Sequence, residues 1–498
     1  MNKELKLGQK FPTLDQVWLF AGIALLTLRV FLTPIPPNDF WWHGAMGRLI
    51  LQTSTVPLSD SFSYTQTGHS FYNQSWLAQI FLYLIYQIGG LPLLILMQAG
   101  IISLTYLILL QLTIKRSENI RLSVVFLLFT ALISFDNLNV RPQTYAFPLF
   151  VAFLSILTSW RIFPTKTSPL WLLPLLMLLW VNIHGSFVLG GVLIALTFLG
   201  ELLRQTLATK PTEKQNPSLK TLFFWGSLTA CAILLNPRGI GVLSYVFNLL
   251  QTSAVTDLVT EWAPPTIRDL WGKIFFLHLI ASLALFIYAP RKPHWFDLFL
   301  LLPFLWLALG AGRNIVWFGF LITPILAVQG ASVLTLLKGN RAKVIEIPLI
   351  NNILIGIITL LLGLASPWLK PHLGLPPANG NLLTAETPVA AVNWLQKQPK
   401  PPKRLFHSLA YGSYLIWALP KPQVFIDPRI ELYPYAQWRD YIDLSGGNNA
   451  EEILTKYQFD GFLLDKVDQA GLVDFLRTKP AWKIRYEDAR AIYFAVED

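Results

Sequence analysis

Asp39 and His43 lie four residues apart in NDFWWHGAMGRLIL, with Phe40, Trp41 and Trp42 between them. That spacing brings both side chains to one face of a helix. The pair stands just beyond the first long apolar run of a chain in which Asp, Glu, Lys and Arg make up only 13% of the residues. Ionisable side chains at membrane level are costly and are functional candidates by default. A carboxylate at the lip of a cavity can act as general base toward a hydroxyl or help to hold a divalent cation such as Mg or Mn. Asp39 is the candidate base, His43 its assistant, and Asp39 or Asp60 the candidate metal anchor. Arg141, His184 and Arg313 each stand at a junction between apolar runs. A guanidinium fork matches phosphate oxygens there, and the neighbouring aromatics suit a sugar ring or an isoprenoid chain. The chemistry this set fits is transfer of a sugar from a lipid-phosphate donor.

Each of these residues also has a structural reading. Asp39 can cap the helix that follows it, and His43 can be a hydrogen-bonded packing residue. Trp41 and Trp42 read as interface aromatics. Asp60, in PLSDSFSYT, reads as an Asx turn. His184 falls in the turn Asn182-Ile183-His184-Gly185 and can be bonded within it. Arg141 precedes Pro142 at a helix start, where a cation gains nothing from the helix dipole; that favours an anion partner.

The elements that must position these residues are membrane spans. The chain has 498 residues, 53% of them hydrophobic, with a mean hydropathy of +0.48. A soluble protein does not hide that much apolar surface, so a polytopic membrane protein is expected. Eleven runs are near the ~20 residues a span needs: 16–33, 91–113, 121–136, 142–160, 169–183, 184–203, 219–236, 273–289, 295–311, 314–334 and 347–369. The basic start, Met1 to Lys10, has no small-residue cleavage site after the first run, which reads as a retained span. With the N-terminus inside, the inner loops carry 17 Lys and Arg and the outer ones before residue 370 carry 6. The positive-inside rule therefore favours a cytoplasmic N-terminus, with Asp39, His43, Asp60, Arg141, His184 and Arg313 all outside. Inner Lys and Arg read as solvated. Residues 75–88 are too few to cross, and counting them as a span would reverse the charge bias. They read as an interfacial helix with an apolar stripe at Trp76, Ile80, Phe81, Leu84 and Ile85; 240–252 repeats the pattern. The formal charge of +11 follows the loops, so no nucleic-acid partner is indicated. Cys231 is the one cysteine, which excludes an intrachain disulfide.

After a Pro/Gly linker at 370–381, residues 382–498 are soluble in character. The β-rich runs RLFHSLAY, QVFIDPR, DGFLLD and AIYFAV alternate with helical ones, which predicts a small α/β domain outside the membrane. In VFIDPRIELY, Asp427, Arg429 and Glu431 alternate; on a strand all three share a face. They are a surface ion-pair ladder or an acceptor-binding set, with Tyr411, Gly412 and Tyr414 nearby.

NDFWWHGAMGRLILQTSTVPLSDSFSYTQTGHSFYNQSWLAQ resembles the first outer loop of a bacterial family of GT-C-like membrane proteins. These are related to dolichyl-phosphate-mannose mannosyltransferases and RgtA/B/C/D-type glycosyltransferases. NVRPQTYAF, WVNIHGSFVLG, LLNPRGIGVL, GRNIVWFGF and VFIDPRIELY are further landmarks in matching order, so the likeness covers most of the chain. It implies a mainly helical GT-C core over 1–369, in the cytoplasmic membrane. It also implies a polyprenyl-phosphate-linked donor, a glycan, lipid or protein acceptor, and a reactive acid in the first outer loop, which here is Asp39. Mannosyltransferase-type members often pair that acid with an adjacent one; here Phe40 follows Asp39. Two other readings stand beside a glycosyltransferase: a surface-polysaccharide polymerase or ligase, and a transporter or non-catalytic assembly protein. A transporter places charges near mid-membrane, and these spans are nearly bare of them. No Walker loop, GxSxG elbow or HExxH motif occurs, so ATP-driven transport and zinc hydrolysis have no support.

Overall fold

The computed structural model describes residues 12–163, 169–207, 218–251, 258, 260–337, 346–419 and 424–496. Lys3, Lys6, Lys10, Lys166, Lys210, Lys214, Lys338, Arg341 and Lys343, counted above as inner, and Asp257 lie outside the described residues. Each of the eleven expected runs falls on a helix: α1 (Leu14–Phe31), the second half of α3 (Trp76–Ser117), α4 (Ile120–Leu132), α5 (Pro142–Ile162), α6 (Leu172–Ile183), α7 (Val188–Leu207), α8 (Leu219–Ala232), α10 (Leu270–Tyr288), α11 (Trp295–Gly310), α12 (Ile315–Leu336) and α13 (Pro348–Leu364). Two more helices, α2 (Asp39–Thr53) and α9 (Gly241–Gln251), lie between them. Among the described residues, six helices are long and apolar enough to cross a membrane; the chain is a multi-pass membrane protein.

Local chemistry sets the helix ends. Thr13 and Gln16 form a capping box at α1, while Asn119, Ser218 and Asp269 cap α4, α8 and α10 through their side chains. Pro142 and Pro348 occupy first-turn positions, where a missing N–H costs nothing. Within α3 the backbone leaves helical geometry at Gly89 and Gly90; Gly90 has φ of +60°, which a side chain would resist. The bend separates 76–88 from the run 91–117, as the length argument requires. The expected stripe is turned differently, however. Phe81, Leu84 and Ile88 are exposed, whereas Gln79 is fully buried and Tyr83 and Tyr86 lie edge-on to Trp417. Gln79, Tyr83 and Tyr86 thus face protein, and of the expected stripe Phe81 and Leu84 face outward while Ile85 is buried; turning the polar groups inward is what a helix in lipid favours, because only protein can satisfy them there.

The expectation of solvated inner basic residues needs correction: besides Arg121, which bonds Asp15 at 2.7 Å near the surface, three are paired with more deeply buried acids. Arg116 bonds Asp297 at 2.6 Å, Arg204 bonds the fully buried Glu201 at 2.5 Å, and Arg161 lies 3.9 Å from that same carboxylate. Arg161 is in the last turn of α5 and Arg141 precedes its first. A helix of 21 residues is roughly 30 Å long, so the two arginines mark opposite ends of the bundle.

The C-terminal part carries a mixed four-stranded sheet in the order β1-β2-β4-β3. β1 (Leu405–His407) runs parallel to β2 (Gly461–Asp465), and β4 (Ala491–Val496) is antiparallel to β2 and to β3 (Trp482–Glu487). Phe406, Phe462 and Phe494 are in register across it and, with Phe425, pack its core. Of the β-rich runs, QVFIDPR is not a strand: Val424 makes one isolated bridge to Ser63, and Ile430–Leu432 is a 3-10 turn. Pro428 lacks the N–H a ladder needs. WKIRYE, not singled out by its pattern, is β3 because Ile484 pairs with Phe494.

Candidate active site

Asn38 occupies the cap position of α2, so Asp39 is the first helical residue rather than the cap. Its carboxylate there gains from the helix dipole. Gly47 lets α2 press onto α3: a Cβ at Gly47 would stand 2.1 Å from the Gln79 carbonyl oxygen. This approach brings Gln79 to His43. Asn73 donates to Gln79 Oε1 at 2.7 Å, which turns the Gln79 amide nitrogen toward His43 Nδ1 at 3.1 Å. On that assignment Nδ1 accepts and the proton is on Nε2. Burial, reinforced by the nearby His184, pushes the His43 pKa well below its ordinary value. The ring, packed 3.7 Å from Trp42, is neutral.

Asp39, His43, Arg141, His184 and Arg313, drawn from four separate parts of the chain, line one cavity of about 890 Å³ at this end of the bundle. Glu261, Tyr245 and Glu431 stand in the same wall. Arg141 is held from two sides, by Glu261 Oε1 at 2.5 Å and Asn137 Oδ1 at 3.1 Å, with Asp39 Oδ2 3.9 Å away. The Arg313 guanidinium lies 4.7 Å over the Trp262 ring, and the Gly312 N–H donates to Ala263 O, tying its turn to the Glu261 segment. His184 Nδ1 accepts the Ser186 N–H within its turn.

These neighbours push the two carboxyls apart. For Asp39 burial is the largest influence and raises its pKa; Arg141 pulls it down, but not far enough, and Glu261 pushes it up again. For Glu261 burial also works upward, but Arg141 and Arg313 together outweigh it and hold the carboxyl below its ordinary range. Of the two carboxyls, Glu261 thus holds its charge more firmly and Asp39 takes up a proton more readily. Glu431 is raised by burial, which the Tyr245 hydroxyl bonded to it at 3.3 Å only partly offsets.

Asp60, Asp427 and Arg429 lie elsewhere. Asp60 accepts the Phe62 and Ser63 N–H groups, the Asx turn, and its Oδ1 is 2.7 Å from Arg429 Nη1. Arg429 Nη2 donates to Asp427 Oδ2 at 2.6 Å, and Tyr433 donates to the same oxygen at 2.6 Å. All three side chains of this group are fully buried. The alternating set is thus not a strand face: with the backbone turning at Pro428, Asp427 and Arg429 point inward while Glu431 reaches the cavity. Tyr411, bonded to Asp465, and Tyr414, edge-on to Trp41, pack in the core, and Gly412 is pressed on the Ile426 carbonyl.

The sequence gives Glu261 and Trp262 no role, because nothing local pairs Glu261 with a residue 120 positions away. Tyr245 was missed; its only signal was a phenol within an apolar helix. Among the described residues no three His, Cys, Asp or Glu side chains group as a metal-binding set. Asp39 faces a guanidinium and Asp60 is closed by its own partners, so the donor set does not fit a divalent cation.

No known family model matches this chain, and no characterised protein matches it in sequence. Its fold does have solved counterparts: over nearly its whole length the chain is structurally similar to GT-C membrane glycosyltransferases. ArnT from Cupriavidus metallidurans in the apo state superposes with a TM-score of 0.51 at 10% identity, covering 96% of this chain and 97% of that one. The same enzyme bound to undecaprenyl phosphate gives 0.46 at 11% identity over 96% and 98%. The Archaeoglobus fulgidus oligosaccharyltransferase, in complex with zinc and sulfate, gives 0.48 at 12% over 96% and 73%.

Proposed function

We propose that this protein is an integral-membrane glycosyltransferase that moves a sugar from a polyprenyl-phosphate-linked donor to an acceptor hydroxyl, at the outer face of the cytoplasmic membrane. The observation that carries the reading is the convergence of Asp39, His43, Arg141, His184 and Arg313 on one cavity. The ArnT-like fold is compatible with it. Asp39 accepts the acceptor proton as the hydroxyl oxygen attacks the anomeric carbon. The bond from that carbon to the phosphate oxygen breaks, and its electron pair leaves with polyprenyl phosphate, so the configuration inverts. Arg141 and Arg313 stabilise the charge that grows on the departing phosphate, and neutral His43 and His184 offer N–H donors beside it. No step is routed through a metal. Placing the cavity outside rests on the Lys and Arg count, and a helical 1–369 region followed by an extracytoplasmic 382–498 domain goes with it.

The test uses Asp39→Ala and Asp39→Asn variants checked for membrane insertion. With a radiolabelled polyprenyl-phosphate sugar, both should lose transfer to membrane acceptors. Unchanged product from an inserted Asp39→Ala protein sinks the assignment.

A further inference from the structure

The cavity wall divides by chemistry. One end holds Asp39, Arg141, Glu261 and Arg313. The other is built by the C-terminal part and holds Ser408, Tyr441, Ser445, Gly446, Asp468 and Gln469. Tyr72 and Tyr245, also in the lining, stack with ring centroids 4.3 Å apart and planes 13° from parallel. The second end is ordered by its own bonds. The Leu409 N–H donates to the Tyr441 hydroxyl at 2.8 Å, and the Gln469 amide donates to Ser445 Oγ at 3.0 Å. Gln469 is in turn held by the Asp465 N–H, which donates to its Oε1 at 3.2 Å.

Among the described residues the lining contains two cations, Arg141 and Arg313, and both belong to the first end. The C-terminal lining offers hydroxyls, an amide and two carboxylates: Glu431, bonded by the Tyr245 hydroxyl, and Asp468, whose side chain is 58% exposed and has Arg490 3.7 Å away outside the lining. Recognition of an anionic group needs a facing cation, since like charges brought together cost affinity. Hydroxyls, amides and carboxylates instead match the alternating donors and acceptors of a sugar. A volume of about 890 Å³ is near the top of the ~300–1,000 Å³ usual for ligand pockets, enough for a donor sugar and an acceptor together.

We infer that the end of the cavity built by Ser408, Tyr441, Ser445, Asp468 and Gln469 is the acceptor subsite, and that it takes an uncharged, hydroxyl-rich saccharide rather than a phosphorylated or acidic one. The inference rests on the glycosyltransferase reading. It also moves acceptor recognition away from Asp427 and Arg429, which are fully buried, pair with each other and do not line the cavity.

Isothermal titration of the full-length protein in nanodiscs tests it with three probes: maltotriose as neutral saccharide, trigalacturonate as anionic saccharide, and undecaprenyl phosphate for the donor end. Wild type should bind maltotriose and bind trigalacturonate at least tenfold more weakly. Ser445→Phe should weaken maltotriose at least tenfold without moving undecaprenyl phosphate. Asp468→Lys, at an exposed position where folding is not at risk, should narrow or reverse the preference. Equal or better binding of trigalacturonate by wild type overturns the inference, as does maltotriose binding indifferent to both substitutions. Undecaprenyl phosphate affinity unchanged in an Arg141→Gln, Arg313→Gln double variant overturns the glycosyltransferase reading instead, so the two failures are distinguishable.

Discussion

Asp39 and Asp60 belong to the same segment between α1 and α3, and each is matched to an arginine far away in sequence, yet their environments are opposite. Asp60 shares Arg429 with Asp427 in a group whose side chains are fully buried. The Asp39 side chain is 38% exposed to a cavity, 3.9 Å from an arginine already held by Glu261. The closed group joins the first loop to the C-terminal part, and its side chains are shut away from the cavity. The open group keeps its charges at the wall of a cavity, where shifted carboxyls are candidates for binding and proton transfer. Burial of an ion pair is thus no guide to function here; access to the cavity is.

The largest expected effect breaks the open group. Asp39→Asn should lower transfer by roughly 10²–10⁴-fold, the usual worth of a positioned base, with an unchanged thermal unfolding midpoint. Loss of activity accompanied by unfolding would move Asp39 to the structural side of the comparison. Next is the closed group. Arg429→Met leaves two buried carboxylates unpaired and should cost about 3–5 kcal/mol, read as a lowered midpoint in detergent. Neutralising all three members (Asp60→Asn, Asp427→Asn, Arg429→Met) should cost less than Arg429→Met alone, because no buried charge is then stranded. If the triple variant is the worse of the two, the group holds the fold by its charges rather than by its packing.

Smaller effects sharpen the contrast. Arg313→Lys keeps the charge but loses the planar fork and its stacking on Trp262; donor affinity should fall about tenfold, or ~1.4 kcal/mol, with the midpoint unmoved. The smallest effects are pH shifts. Asp39 must be ionised to act, and its pKa is raised, so the acid limb of the rate profile should lie above the ordinary carboxylate range. Arg141→Gln removes a group that lowers that pKa and should move the limb to higher pH. Glu261→Gln removes one that raises it and should move the limb down. Parallel movement in both variants would mean that the limb belongs to another group. The closed group behaves differently. Burial alone would raise Asp427, but Arg429 and the bonds from Arg429 and Tyr433 hold it below its ordinary value. Its stabilising contribution is therefore complete above the unfolded carboxyl pKa near 4 and fades as pH falls through the lower native value, a loss that melting curves at acid pH would record.

Some of this was readable from the chain alone. Apolar runs of near-span length can satisfy their backbone only as helices in a membrane, so the eleven runs and the shortness of 75–88 followed from composition and length, whereas the bend at Gly89 and Gly90 came from the structure. The polar junctions stood out because ionisable residues are rare among such runs. The sequence by itself therefore determined a multi-pass helical protein and a short set of suspects that included Asp39, His43, Arg141, His184 and Arg313. Tertiary structure alone decided which suspects meet. It turned Asp427 and Arg429 inward at Pro428 and joined Asp60 to them. It also set Glu261 against Arg141, across 120 residues of chain. The physical reason is range: hydropathy and capping act over a few residues and leave a trace in local pattern. An ion pair depends on a separation of a few ångströms, and only the packing of distant helices sets that separation.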